Sequence, residues 1–351
     1  MASNWMIYGA NGYTGGLIAR EAKKRGLSPV LAGRSETAIT SLARELELES
    51  RIFPLEHDIA KHLEGIRLVL HCAGPFRNTS APMVSACLSA GAHYLDITGE
   101  IAVFEHTHAQ HEKAVRQGVV LCSGAGFDVI PTDCTALRLQ ELMPDTERLS
   151  LGFDTDSGVS RGTLKTMIDG LGGDSAIRQS GVLLPVPLGS QVRKIDFGRG
   201  LKTAMGIPWG DVSTAFHTTG ILDISTWIPM SKARICAARF AAAGRPILNS
   251  RFVKSRLDRF ADRRKPGPDR ESRERSPAFI WGEAVNARGE AVTVRIRTAN
   301  TYDLTVWGAL EMSDRLLRQR FPGGSYTPAR LFGSSFIEQL PGSGLFETET
   351  I

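Results

Sequence analysis

Little in this chain of 351 residues is available for covalent or metal cross-linking. It has five cysteines, Cys72, Cys87, Cys122, Cys134 and Cys236, an odd number with no CxxC pair among them. The first four stand in apolar contexts and read as small buried hydrophobes. That fits a reducing, cytoplasmic setting and gives no sign of structural zinc. Histidine is sparse too. His106, His108 and His111 share one stretch, but His108 is offset from the other two and no further ligands gather there, so no metal is expected. No apolar run approaches the ~18 residues of a membrane-spanning helix. Structure reads from the fourth or fifth residue onward, which leaves no room for a signal peptide before it.

Acidic residues are in slight deficit, 37 against 42 Lys and Arg, for a net charge of +5. Residues 251–275 hold ten basic and five acidic side chains, so this one segment carries the whole excess. Containing PGP and little that is apolar, it reads as a solvated loop. It lacks the aromatic interleaving of a single-strand binder, and nucleic acid is not expected as a partner. Within it Phe252, Val253, Leu257 and Phe260 alternate with Arg251, Lys254, Arg256 and Arg259. That amphipathic basic pattern suits peripheral contact of 251–260 with an anionic membrane.

What is present is a hydrophobic content of 42%, enough for a sizeable core, in a chain of two-domain length. Short apolar runs alternate with amphipathic stretches through residues 1–130, the pattern of a parallel sheet covered by helices. After Pro131 the texture becomes richer in strands and turns. The expected fold is α/β: a Rossmann-type dinucleotide-binding domain over 1–130, then an α+β domain over 131–325 on a largely antiparallel sheet. Residues 326–351 are expected to return to the first domain. Segment 181–230 reads as strands and turns, and its GVLLPVPL (181–188) is either core strand or apolar surface near turns.

The strongest local signal is Gly9-Ala10-Asn11-Gly12-Tyr13-Thr14-Gly15, between the first strand and first helix. Gly9 makes the tight turn, Gly12 admits a pyrophosphate and Gly15 lets helix and sheet pack closely. The helix start supplies N–H groups and a positive dipole end. After the second strand, where an NAD site usually places an acid, stand Arg34 and Ser35, a fork and a hydroxyl for a 2′-phosphate. NADPH is therefore expected before NAD, with Glu36 partly opposing it. Asp58 is placed either to reach the adenine amino group or to cap the short helix after it. Ala73-Gly74-Pro75-Phe76 follows the fourth strand, at the edge where the nicotinamide end would run.

GANGYTG, AGR, CAGPF, AGAHYLDITGE and GAGFDVIPTD, in that order, resemble the saccharopine dehydrogenase-like oxidoreductases, and within them the trans-acting enoyl reductase branch. The first 135 residues carry most of the match. The resemblance implies an NADP-type Rossmann domain with a mixed second domain, often in a homodimer. Relatives usually carry Gly where this chain has Ser80.

Candidate chemistry falls on two segments. In HYLDITGE, Tyr94 and Asp96 share one strand face, and Asp96 and Glu100 either orient a substrate or serve helix starts. In GAGFDVIPTD, Asp128 faces the expected interdomain cleft. Tyr94 and Tyr302 are phenols suited to proton donation, without the Tyr-x-x-x-Lys spacing of short-chain dehydrogenases. The reading is an NADPH-dependent reductase acting on a small or lipid-like carbonyl or enoyl substrate. The alternative is a non-catalytic dinucleotide-binding redox sensor or membrane-associated scaffold.

Overall fold

The computed structural model describes residues 4–350 except 57, 159, 162–163, 165–173, 244–255, 257–258, 260–262 and 264–266. The chain divides into two compact units, residues 1–130 with 302–331, and 131–301 with 332–351.

The first unit opens with β1 (Trp5–Tyr8), α1 (Tyr13–Lys24), β2 (Val30–Gly33), α2 (Glu36–Leu46) and β3 (Ser50–Ile52). A short 3₁₀ turn (Ile59–Leu63) leads to β4 (Leu68–His71), α3 (Phe76–Ala90) and β5 (His93–Asp96). Then come α4 (Ile101–His108), α5 (His111–Gln117) and β6 (Val120–Cys122). Strands β1, β2, β4 and β6 are almost wholly apolar and buried on both faces, as central parallel strands under helices must be. All pair in parallel in the order β3-β2-β1-β4-β5-β6. The order reverses direction between β1 and β4, which opens a crevice at their carboxyl ends.

Register aligns Tyr8, His71 and Asp96 across β1, β4 and β5. On the same face Met6, Val69, Met83 and Leu121 join one buried cluster with Tyr8 and Tyr94.

The second unit starts with α6 (Ile130–Leu142) and the ten-residue β7 (Thr146–Thr155). It continues through β8 (Ser175–Gln179), β9 (Val182–Val186), β10 (Val192–Asp196), β11 (Leu201–Gly206), α7 (Asp211–Thr219) and β12 (Asp223–Pro229). After α8 (Lys232–Ala243) and α9 (Arg270–Glu274) follow β13 (Ala278–Asn286) and β14 (Ala291–Thr298). The sheet runs β10-β11-β12-β7-β13-β14-β16, β16 being Glu347–Thr350, with β8 and β9 branching from β12. Only β12 and β7 pair in parallel. Gly282 leaves the sheet bare where Thr135 and Leu139 of α6 press onto it.

Two expectations are revised. Helix α7 lies where strands and turns were read, because DVSTAFHTT is rich in β-branched residues and lacks a clean apolar stripe. The C-terminal partition also differs. It is α10 (Thr301–Arg318), β15 (Gly324–Ser325) and most of α11 (Pro328–Phe332) that belong with the first unit, β15 pairing parallel to β6. The tail from Phe332 stays with the second unit and lays β16 beside β14. Of the amphipathic piece at 251–260, all but Arg256 and Arg259 lies outside the described residues. The described part of 251–275 includes α9, whose start is capped by Asp269 accepting from Ser272 N–H at 2.9 Å.

His71, fully buried among Tyr8, Phe76 and Tyr94, is held neutral by burial, its pKa lowered to about 3. Because the folded value lies below the unfolded 6.5, only the unfolded chain takes up this proton between those limits. The contribution to stability is therefore intact above pH 6.5 and declines toward pH 3, by about 1.4 kcal/mol per pH unit. Urea unfolding at pH 7 and pH 5 should show this slope, and His71→Gln should flatten it by that amount.

Candidate active site

The loop after β1 is shaped by what its glycines cannot be. Gly9 has φ +83°, and a Cβ there would lie 2.7 Å from Ala73 N, so the β1 and β4 turns touch backbone to backbone. A side chain at Gly15 would collide with the Gly9 carbonyl oxygen, which fixes how closely α1 approaches the turn. Gly12 is different. The nearest atom to a Cβ there is Gly9 O at 3.3 Å, and Gly12 is exposed at the N-cap of α1. Packing alone does not demand glycine at that point. Ala10 is buried, Asn11 is exposed over Gly33, and Tyr13 and Thr14 are half-buried in the first turn of α1.

At the carboxyl end of β2, Arg34 and Ser35 are exposed, and neither side chain hydrogen-bonds to another described residue. Arg34 forms no ion pair with Glu36 or any other described acid. Its charge is felt by Tyr8, whose phenol donates to Phe53 O at 2.9 Å. Burial raises that phenol to about 12 against the opposing pull of Arg34. Asp58, in the left-handed region at φ 53°, binds Lys61 at 2.6 Å and does not cap the following turn with its side chain.

The turn after β4 is held from beneath. Thr79 Oγ1 donates its proton to Ala73 O at 2.7 Å and lies 3.2 Å from Pro75 O. That leaves His71 Nε2 as the donor in its 3.0 Å contact with Thr79 Oγ1. The opposite ring nitrogen, Nδ1, is a buried acceptor without a hydrogen-bond donor among the described residues. Gly74 is exposed, while Pro75 and Phe76 are half-buried. Ser80 is buried in α3.

Helix α3 starts at Phe76, and its first N–H groups are already taken. Glu100 Oε1 accepts from Phe76 N at 2.8 Å and Oε2 from Arg77 N at 2.9 Å. Glu100 is thus an anion from another strand's loop seated at a helix N-terminus. Asp96 is more deeply engaged. Its Oδ1 accepts from Thr98 N at 3.0 Å and Gly124 N at 2.9 Å, and its Oδ2 from Tyr94 Oη at 2.8 Å and Ser123 Oγ at 2.9 Å. Burial raises its pKa while these four hydrogen bonds oppose the rise. Tyr94 is fully buried, its phenol pushed well up by burial and by Asp96. Tyr94, Asp96 and Glu100 therefore satisfy the scaffold. Asp128 is partly exposed, its carboxylate against the Gly99 backbone, with burial raising its pKa to about 6.

Two contributors come from far along the chain. Thr305 Oγ1 of α10 accepts from Phe127 N at 3.0 Å, and a side chain at Gly126 would strike Thr305. Tyr302 meets Tyr13 edge to face at 5.2 Å. The sequence singled out Tyr302 as a phenol, but its place against the glycine loop rests on a separation that no local pattern reports. The His71–Thr79 pair was missed as well, although His71 stands in register with Asp96. His111, grouped with other histidines in the sequence, accepts from Ser325 N at 3.1 Å and anchors β15.

The hub at Asp96 predicts an ordered pair of substitutions. Asp96→Ala leaves the Thr98 and Gly124 N–H groups buried without acceptors and should cost about 3 kcal/mol or more. Asp96→Asn keeps an oxygen for both, and the two hydroxyls can turn to accept, so its cost should be about 1 kcal/mol. Urea denaturation of the two variants measures the difference.

Residues 5–122 match the saccharopine dehydrogenase NADP binding domain. A human saccharopine dehydrogenase-like oxidoreductase is 30% identical over 250 residues, 61% of this chain and 58% of its own length. The mouse protein of that name is 31% identical over 215 residues, 52% of this chain and 50% of its own. A Mycobacterium tuberculosis protein named for trans-acting enoyl reductase is 26% identical over 182 residues, covering 47% and 43%. The chain spans about half the length of the curated relatives it matches. Apo saccharopine dehydrogenase (L-Glu forming) of Saccharomyces cerevisiae shares the fold over 100% of both chains, with a TM-score of 0.67 at 10% identity. The chain thus matches the saccharopine dehydrogenase-like oxidoreductases and a trans-acting enoyl reductase homologue, and its fold is a Rossmann-type dinucleotide-binding domain with a second α+β domain.

Proposed function

We propose that the protein is an NADPH-dependent reductase that delivers hydride to a small or lipid-like carbonyl or enoyl substrate. The observation that carries the cofactor choice is the unengaged Arg34 beside Ser35 at the end of β2, where a 2′-phosphate needs a cation and a hydroxyl. The pyrophosphate belongs over Gly9–Gly15, at the start of α1, because the start of α3 already holds the Glu100 carboxylate. The nicotinamide end belongs beside Ala73–Phe76, the turn that Thr79 and His71 brace from below. When bound, the cofactor supplies the hydride, and the residues of this chain position it and handle the proton.

For that proton the reading assigns Asp128. Asp128 is partly exposed, unlike the fully buried Tyr94 and Asp96, and burial raises its pKa to about 6. In the competing reading, a non-catalytic dinucleotide sensor, the same engagement of three acidic or phenolic groups is all that the site contains. Turnover of a panel of enoyl and carbonyl substrates separates the two.

Arg34→Ala should weaken NADPH binding about tenfold to a hundredfold and leave NADH binding nearly unchanged, as titration of cofactor fluorescence would show. Equal weakening of both cofactors would rule out the 2′-phosphate role. With Asp128 as general acid, kcat/KM should fall as pH rises through about 6, since the donor must be protonated. Asp128→Asn should remove that limb of the pH profile while cofactor affinity stays unchanged.

A further inference from the structure

The second unit carries an apolar surface that its own core does not use. Nine large apolar side chains are exposed among the described residues, and six of them fall between Val182 and Phe240. Among the described residues strand β9 pairs only with β8, which leaves its other edge unpaired by them. The hairpin's two faces differ. Arg178 points inward, buried over the Phe216 ring of α7 at 4.1 Å and donating to Val212 O. Its register partner is Leu183, so Ile177, Val182, Leu184 and Val186 share the opposite face. On that face Val182 is 57% exposed and Leu184 38% exposed.

Each end of β9 continues the surface. At one end Gly181 lies against Leu222, itself 53% exposed. At the other, Gly189 lies against α8, where Arg239 Nε donates to Gly189 O at 2.8 Å. Helix α8 is anchored by Ile235, which is buried, and leaves Lys232, Arg234, Cys236 and Phe240 exposed, the last by 74%.

The exposed charges of α8 are the cations Lys232, Arg234 and Arg239, while Asp223, beside Leu222, accepts from Ser180 N at 2.6 Å. An apolar surface edged mainly by cations fits an anionic lipid headgroup layer, into which Phe and Leu side chains sink while Lys and Arg meet the phosphates. It fits a second strand poorly, because Pro185 and Pro187 interrupt the open edge that strand addition requires.

We propose that the β8–β9 hairpin and α8 form a docking surface for an anionic bilayer.

Co-sedimentation of the full chain with phosphatidylcholine vesicles, with and without phosphatidylserine, tests it. Binding is expected only with phosphatidylserine, and high salt should release it. Phe240→Ser, and separately Lys232→Glu with Arg234→Glu, should each lower the partition coefficient about tenfold with melting temperature unchanged. No binding to phosphatidylserine vesicles at low salt would overturn the proposal. So would binding that survives both variants and is lost on deleting 251–275. A shift from dimer to monomer in Val182→Ser with Leu184→Ser, seen by analytical ultracentrifugation without vesicles, would assign the surface to a second copy and overturn it equally.

Discussion

The carboxyl edge of the nucleotide unit depends on one buried carboxylate. Asp96 ends β5, and its two oxygens collect two backbone N–H groups and two hydroxyls, while its own carbonyl accepts from Ala125 N at 2.6 Å. A charge taken this far from water is tolerable only when its lone pairs are met. Meeting them draws the loop after β5 and the loop after β6 onto the same point. From there Glu100 reaches the start of α3, and Asp128 comes to lie on Gly99. Removing the carboxylate would release two loops at once.

This arrangement divides two similar helix starts between two duties. Both α1 and α3 begin at the crevice where the strand order reverses, and both carry the partial positive charge of a helix N-terminus. At α3 the charge is met internally by Glu100. At α1 the cap is glycine, no side chain caps the helix, and no acid stands in the first turn. Under the proposed function the pyrophosphate is therefore assigned to the start of α1. The same carboxylate that makes α3 self-sufficient would repel a phosphate placed there.

Much of the first unit was legible in the sequence because its signals are local. Buried parallel strands read as short apolar runs, and the glycine loop follows the first of them directly. The fifth strand was read at His93–Asp96, as observed. The chemistry of HYLDITGE was less legible, since residue types alone cannot separate an acid that serves substrate from one that serves a helix start. In the structure Glu100 is seated at the start of a helix 24 residues earlier in the chain. Hydrophobicity left one segment open. GVLLPVPL reads as core strand or as surface, and the structure exposes Val182 and Leu184 on the face of β9 opposite Arg178.

The part no local pattern reports is the closure of the nucleotide unit by α10. Thr305 meets Phe127 across a separation of 178 residues, and Tyr302 packs on Tyr13 across a longer one. An ordinary helical stretch in the sequence thus becomes a wall of the glycine loop. The consequence is mechanical. The loop that would hold the phosphates is braced on one side by the backbone of the turn after β4 and on another by a helix encoded after residues 131–301 of the second unit. The nucleotide fold is therefore a product of two stretches far apart in the sequence. A fragment ending at residue 130 would carry every glycine of the motif and lack the aromatic contact and the threonine acceptor that shape it. The motif specifies where the backbone bends, and the distant helix determines how firmly the bend is held.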